Sequence, residues 1–88
     1  MYEIYYTKKA KKDQKLIENH SVLDENVFDI VQIIRINPYQ NPPPYEKLKG
    51  DFKGHYARRI NSQHRFVYKV DDKAKEILVL SMWSHYEF

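Results

Sequence analysis

The sequence contains no cysteine, which excludes disulfide staples, thiolate zinc sites and a cysteine nucleophile together. It has only two glycines, Gly50 and Gly54, so no glycine-rich loop is available to cradle a phosphate. Each glycine serves a turn or a strand kink. No apolar run approaches the ~20 residues that span a bilayer. The opening Met1-Tyr2-Glu3-Ile4 lacks the basic start and long apolar centre of a signal peptide. A soluble, cytoplasmic protein without a membrane role is therefore expected. The histidines His20, His55, His64 and His85 show no ligand spacing, so neither a metal nor another cofactor is expected. Nothing in the sequence supports a Ser-His-Asp triad.

Acidic charge is also scarce, but only in one region. Residues 46–69 carry seven basic side chains against Glu46 and Asp51, although the net charge of the whole chain is only +3. Tyr45, His55, Tyr56, His64 and Tyr68 are interleaved with these cations. A basic surface with aromatic rings suits a polyanion with stackable bases, single-stranded RNA above all. A solvated face of mixed charge is the alternative. With 42% hydrophobic and 31% charged residues in 88 positions, one folded domain over residues 1–88 is expected.

The periodicity changes once along the chain. Residues 2–6 alternate as a strand, and Thr7 is placed to cap a polar helix over 8–20. Asp24 then caps a second helix, in which Val27, Ile30, Val31 and Ile34 form one apolar stripe, widened by Phe28, Ile33 and Ile36. Asn37-Pro38 stops it, and the turn between the helices falls near residues 20–23. Pro38, Pro42, Pro43 and Pro44 make residues 37–44 a stiff connector, or alternatively a proline-rich docking ligand. From residue 50 the period is two. Strands are expected at 52–60, 64–70 and 77–84, with turns at Asn61-Ser62 and 71–75. The fold class is α+β: an N-terminal strand and a two-helix hairpin packed on a twisted antiparallel sheet. The helices cover one face, and the basic and aromatic residues occupy the other.

Such a face can perform acid–base chemistry on RNA. A base takes the 2′-hydroxyl proton, an acid protonates the departing 5′-oxygen, and cations neutralise the pentacoordinate phosphate. Glu46, Lys49, Arg58, Arg59, Arg65, His85 and Tyr86 include every type required. Arg58 and Arg59 are neighbours on a strand and point to opposite faces. Arg59 shares its parity with Arg65 across the short turn, so Arg59 is the one expected to serve the site. A one-residue bulge there would reverse that choice. Tyr56 and Tyr68 are read as packing residues, His64 as structural, and Trp83 as packed against the sheet or its helices.

Four segments then appear in order: Pro44-Tyr45-Glu46-Lys47-Leu48-Lys49, Gly54-His55-Tyr56-Ala57-Arg58-Arg59-Ile60, His64-Arg65-Phe66-Val67-Tyr68 and Ser84-His85-Tyr86. The series resembles the YoeB/Txe toxins of the RelE-like toxin–antitoxin group, closely over residues 44–86. Ala57 replaces the usual serine, the first helix lacks the family's aromatic residues, and Glu87-Phe88 follow the terminal motif. The resemblance implies the fold of small microbial ribonucleases. It also implies a metal-independent endoribonuclease that cuts messenger RNA in the ribosomal A site and inhibits translation. In that reading Glu46 is the general base, His85 the general acid and Arg65 the stabiliser of the transition state. Tyr86 shapes the site, and Arg59 and Lys49 bind phosphate. Arg58 contacts ribosomal RNA or an acidic group elsewhere, and Lys47 contacts RNA or is plain surface. A YefM/Phd-type antitoxin is the implied partner, and a homodimer is compatible. The competing functions are a non-catalytic RNA- or ribosome-binding module and an inactive antitoxin-binding partner.

Overall fold

A computed structural model describes residues 1–83. In chain order the elements are β1 (Glu3–Tyr6), α1 (Lys8–Glu18), α2 (Ser21–Ile36), β2 (Glu46–Lys47), a 3₁₀ turn (Gly50–Phe52), β3 (His55–Arg59), β4 (Arg65–Asp71) and β5 (Glu76–Ser81). The strands form one sheet in the order β1-β5-β4-β3-β2. All neighbours are antiparallel except β1 and β5, which run parallel, so the sheet is not wholly antiparallel. Among the described residues no helix is long and apolar enough to cross a membrane.

Local chemistry sets the helix boundaries. Thr7 Oγ1 accepts the Ala10 N–H at 3.1 Å and donates to the Leu80 carbonyl at 3.0 Å, so one hydroxyl caps α1 and ties it to β5. The second helix begins three residues before the expected Asp24 cap. The extended backbone of His20 precedes it, and Asp24 lies in the first turn, where its charge favours the helix dipole. Val27, Ile30 and Ile34 are buried as the stripe requires, but Phe28 and Ile36 are 62% and 72% exposed and do not widen it. Each lies about 100° or more around the helix from the buried line.

The main core lies between the helices and one face of the sheet. Ala10, Ile17, Val27, Ile30 and Ile34 meet Ile60, Phe66, Tyr68, Ile77, Val79 and Met82 there. Burying such side chains contributes roughly 1.5–3 kcal/mol each. The opposite face carries a smaller patch of Leu48, Ala57 and Val67, joined by Leu80, beside which β4 and β5 slip register between Val67 and Tyr68. The expected strand over 52–60 is shorter. Gly50 and Gly54 adopt φ of +65° and +90°, which breaks the extended backbone and delays β3 to His55.

Tyr56 and Tyr68 pack on the core side, as their reading as packing residues requires, so the open face does not carry all of the aromatic residues expected there. Arg58 lies with them and is 2% exposed. Its Nε donates to Tyr68 Oη at 3.0 Å, Nη1 to the Pro43 carbonyl at 2.7 Å, and Nη2 to the carbonyls of Pro38 and Gln40 at 3.1 and 2.9 Å. Tyr68 Oη donates to the same Pro38 carbonyl at 2.7 Å, and the Tyr45 ring sits 5.0 Å from the guanidinium. Burial holds the Tyr68 phenol above its ordinary pKa, while Arg58 pulls it the other way. The guanidinium fork thus gathers the carbonyls of the proline-rich connector, whose prolines have no N–H with which to pair them in a ladder.

A second clamp lies at the edge. Tyr2 Oη and Tyr39 Oη each donate to Asp72 at 2.8 Å, one to each carboxylate oxygen. These bonds, Tyr2 first and then Tyr39, hold the Asp72 carboxyl below its ordinary value of 3.8.

Two expectations follow from these clamps. Arg58→Lys keeps the charge but cannot span four acceptors, and should cost about 2–3 kcal/mol in urea unfolding; a loss below about 0.5 kcal/mol, the scale of an ordinary surface change, would contradict the clamp. The Asp72 carboxyl, followed by NMR, should titrate below 3.8, and Tyr2→Phe should raise its midpoint. Because the folded value is depressed, the stability from this group is present above the unfolded value and fades as pH falls through the folded one. Asp72→Asn should therefore flatten the acid limb of the stability curve, and an unchanged limb would count against it.

Candidate active site

The open face is built by strand parity. Glu46 on β2 is paired with Ala57 on β3, and Ala57 with Val67 on β4. Two residues further along β3, Arg59 lies directly opposite Arg65. Partners in register share a face, so Glu46, Ala57, Arg59 and Arg65 all point to the side away from the helices. No bulge interrupts β3 and β4 here; the slip is on the β4–β5 side.

These residues enclose one cleft of about 330 Å³, lined by Pro44, Tyr45, Glu46, Ala57, Arg59 and Arg65. Its floor is the small Ala57 side chain, 4% exposed, which leaves room between the flanking charges. Arg65 is half-buried. Its Nη1 donates to the carbonyls of Asn61 and His64 at 3.2 and 3.4 Å, so the hairpin that ends β3 fixes one edge of the guanidinium. The hairpin is itself held by Asn61, whose Oδ1 accepts the Gln63 N–H at 2.9 Å and the His64 N–H at 2.6 Å. Asn26 of α2 closes it from below, donating to the Ile60 carbonyl at 3.0 Å. Arg59 is exposed, and its side chain makes no hydrogen bond or ion pair among the described residues.

Two like charges directly opposite one another destabilise a sheet. An anion between them reverses the sign, and two guanidinium forks match the geometry of a phosphate. The cleft therefore offers paired cations, with a carboxylate on the neighbouring strand.

Lys47 and Lys49 lie beside this cleft, not within it. Both are exposed and line an adjoining groove of about 620 Å³ over residues 46–52, which also includes Glu46 and Phe52. Lys47 is paired with Tyr56 and so alternates away from Glu46. Lys49 precedes the 3₁₀ turn. Arg58 does not join the site: its donors are spent on the connector, and the expected contact with RNA or an acidic group is corrected to a structural role. His85 and Tyr86 lie outside the described residues.

Sequence reasoning missed Tyr45 and Asp13, which shape this region, and read Tyr68 as packing without its bond to Arg58. Tyr45 and Tyr68 hold Arg58, and hence the connector that leads into Glu46. Asp13 is 5% exposed, and accepts the Met82 N–H at 2.9 Å and the Trp83 N–H at 3.3 Å. Its signal was present: positions 10, 13 and 17 form one helical face, on which the acid sits between Ala10 and Ile17. His64 is buried as expected, and stacks on Trp83 with centroids 4.3 Å apart.

Comparisons with known proteins agree with this fold. Residues 5–86 match the family described as the YoeB-like toxin of bacterial type II toxin–antitoxin systems. The toxin YoeB of Synechocystis sp. is 31% identical over 77 residues, covering 88% of this chain and 79% of that protein. A YoeB/ParE toxin from Agrobacterium tumefaciens superposes with a TM-score of 0.89 at 27% identity, over 96% of this chain and 99% of the other. Staphylococcus aureus YoeB, solved in complex with YefM, superposes with a TM-score of 0.83 at 32% identity, over 98% and 99%. This chain is a member of the YoeB-like toxin family of bacterial type II toxin–antitoxin systems.

Proposed function

We propose that the chain is a metal-independent endoribonuclease that cuts messenger RNA in the ribosomal A site and so inhibits translation. The observation that carries the reading is the facing pair Arg59 and Arg65, with Glu46 lining the same cleft. In cleavage by the adjacent 2′-hydroxyl, the Glu46 carboxylate takes the hydroxyl proton. The oxygen then attacks phosphorus, and Arg65 meets the charge that grows on the non-bridging oxygens. Arg59 holds the same phosphate, and Lys47 and Lys49, in the adjoining groove, hold the strand beside it. His85 protonates the departing 5′-oxygen, and Tyr86 shapes its surroundings. The ribosome supplies the message already threaded.

Control follows the relatives. Staphylococcus aureus YoeB has been solved with YefM and also as a dimer. We infer that this chain is likewise held by a YefM/Phd-type antitoxin and forms a homodimer of its own. The basic face fits an acidic or amphipathic segment that orders on binding. Messenger RNA on ribosomes places the activity in the cytoplasm.

Induced in bacteria, the wild-type chain should create new 5′ ends within translated codons, lost when initiation is blocked. Glu46→Gln and His85→Ala should each lower single-turnover cleavage on programmed ribosomes by about 10²–10⁴-fold. Ribosome binding and growth arrest without new 5′ ends would replace this reading with occupancy. For a short single-stranded RNA, Arg59→Ala and Arg65→Ala should each flatten the dependence of log affinity on log salt by about 0.7. An unchanged slope would remove that arginine from the phosphate site.

A further inference from the structure

A carboxylate buried beneath the end of a sheet needs a reason. Asp13 Oδ2 accepts the Met82 N–H, the Trp83 N–H and one Lys9 ammonium hydrogen, the last at 3.0 Å. The Lys9 side chain remains half-exposed, so the ion pair alone does not explain burial of the acid. The two amides belong to the residues that follow β5, where the sheet no longer supplies them with acceptors. Asp13 thus takes over from the ladder at the point where the chain leaves it. Trp83 is held a second time, through its ring, by the stack on His64 and a tilted contact with His20 at 5.5 Å. His64 precedes Arg65, and its carbonyl accepts from the Arg65 guanidinium. The exit from β5 is therefore fixed to α1 by its backbone, and to the arginine-bearing hairpin by its side chain.

We propose that Asp13 is a positioning residue for the chemistry: it sets the exit of the chain from β5, two residues before His85. The inference rests on the reading of His85 as the general acid. Two residues of chain reach at most about 7 Å, so the direction of the Trp83 peptide limits where the imidazole can go. A group misplaced by about 1 Å can lose on the order of 10²-fold in rate. Lys9 completes the arrangement by neutralising the buried carboxylate from the solvent side.

Single-turnover cleavage on programmed ribosomes tests this with Asp13→Ala, Asp13→Asn, His85→Ala and the double variant Asp13→Ala/His85→Ala. Asp13→Ala should slow the cleavage step about 10- to 100-fold, with half-saturation by ribosomes changed less than about twofold. Asp13→Asn, whose carboxamide oxygen accepts the same two N–H groups, should restore most of the rate. The double variant should be no slower than His85→Ala, because Asp13 acts through the tail that His85 occupies. Amide exchange at Met82 and Trp83 should be slow in the wild type and fast in Asp13→Ala. If Asp13→Ala does not fold, Asp13→Glu, which keeps the charge and moves the acceptor by one methylene, takes its place in the same cycle. An unchanged cleavage rate, or losses that add in the double variant, would overturn the positioning role and leave the nuclease reading intact. A His85→Ala variant as fast as wild type would overturn both.

Discussion

One buried cation organises the half of the molecule that bears the cleft. Among the described residues Arg58 pairs with no carboxylate; four hydrogen bonds and a tyrosine face stabilise its charge in the interior. The connector after α2 cannot form a ladder of its own, and without these donors its carbonyls would have to find water. Drawn around Arg58, the connector delivers Tyr45 and then Glu46 to the edge of β3, where only two residues pair. The placement of the carboxylate in the cleft thus depends on an arginine on the opposite side of the sheet.

The two arginines of one dipeptide therefore have separate tasks. Arg58 spends its donors inward, and the Arg59 side chain is exposed and faces the cleft. The alternation of a strand divides them without any further device. A similar economy applies to the hairpin after β3. Its Asn61 closes the turn, and its backbone carbonyls steady Arg65, so the same loop also aims a guanidinium at the cleft. Rigid support of this kind reduces the reorganisation a charged group must undergo when a phosphate arrives.

Much of this was legible in the sequence where the signal is periodic. The stripe of Val27, Ile30 and Ile34, the turn at Asn61-Ser62, and the shared parity of Arg59 and Arg65 follow from 3.6- and two-residue spacing alone. What was not legible arises from contacts distant in sequence. Parity sets Arg59 apart from Arg58, but nothing local shows that Arg58 anchors the connector; only the connector folding over one face does so. β2 is two residues long and exists through its pairing with β3, so no local pattern announces it. Asp13 reads as one more polar residue on a polar helix until the amides of residues 82 and 83 are brought to it, 69 and 70 positions later. Phe28 and Ile36 erred the other way: apolar residues near a stripe were read as part of it.

The order of strands has a consequence for how the protein is made. β5 is the last strand in the sequence, yet it lies inside the sheet between β1 and β4. Until residue 81 has been synthesised, β1 has no neighbour to pair with, and the helices lack Ile77, Val79 and Met82 to pack against. A ribosome partway through this message therefore carries a nascent chain that lacks an interior strand of the sheet. Since pairing β1 with β5 closes a loop of some seventy residues, it is also the contact most costly in chain entropy. The topology delays the assembled fold until β5 has been made, and so separates the synthesis of this protein from the activity proposed for it.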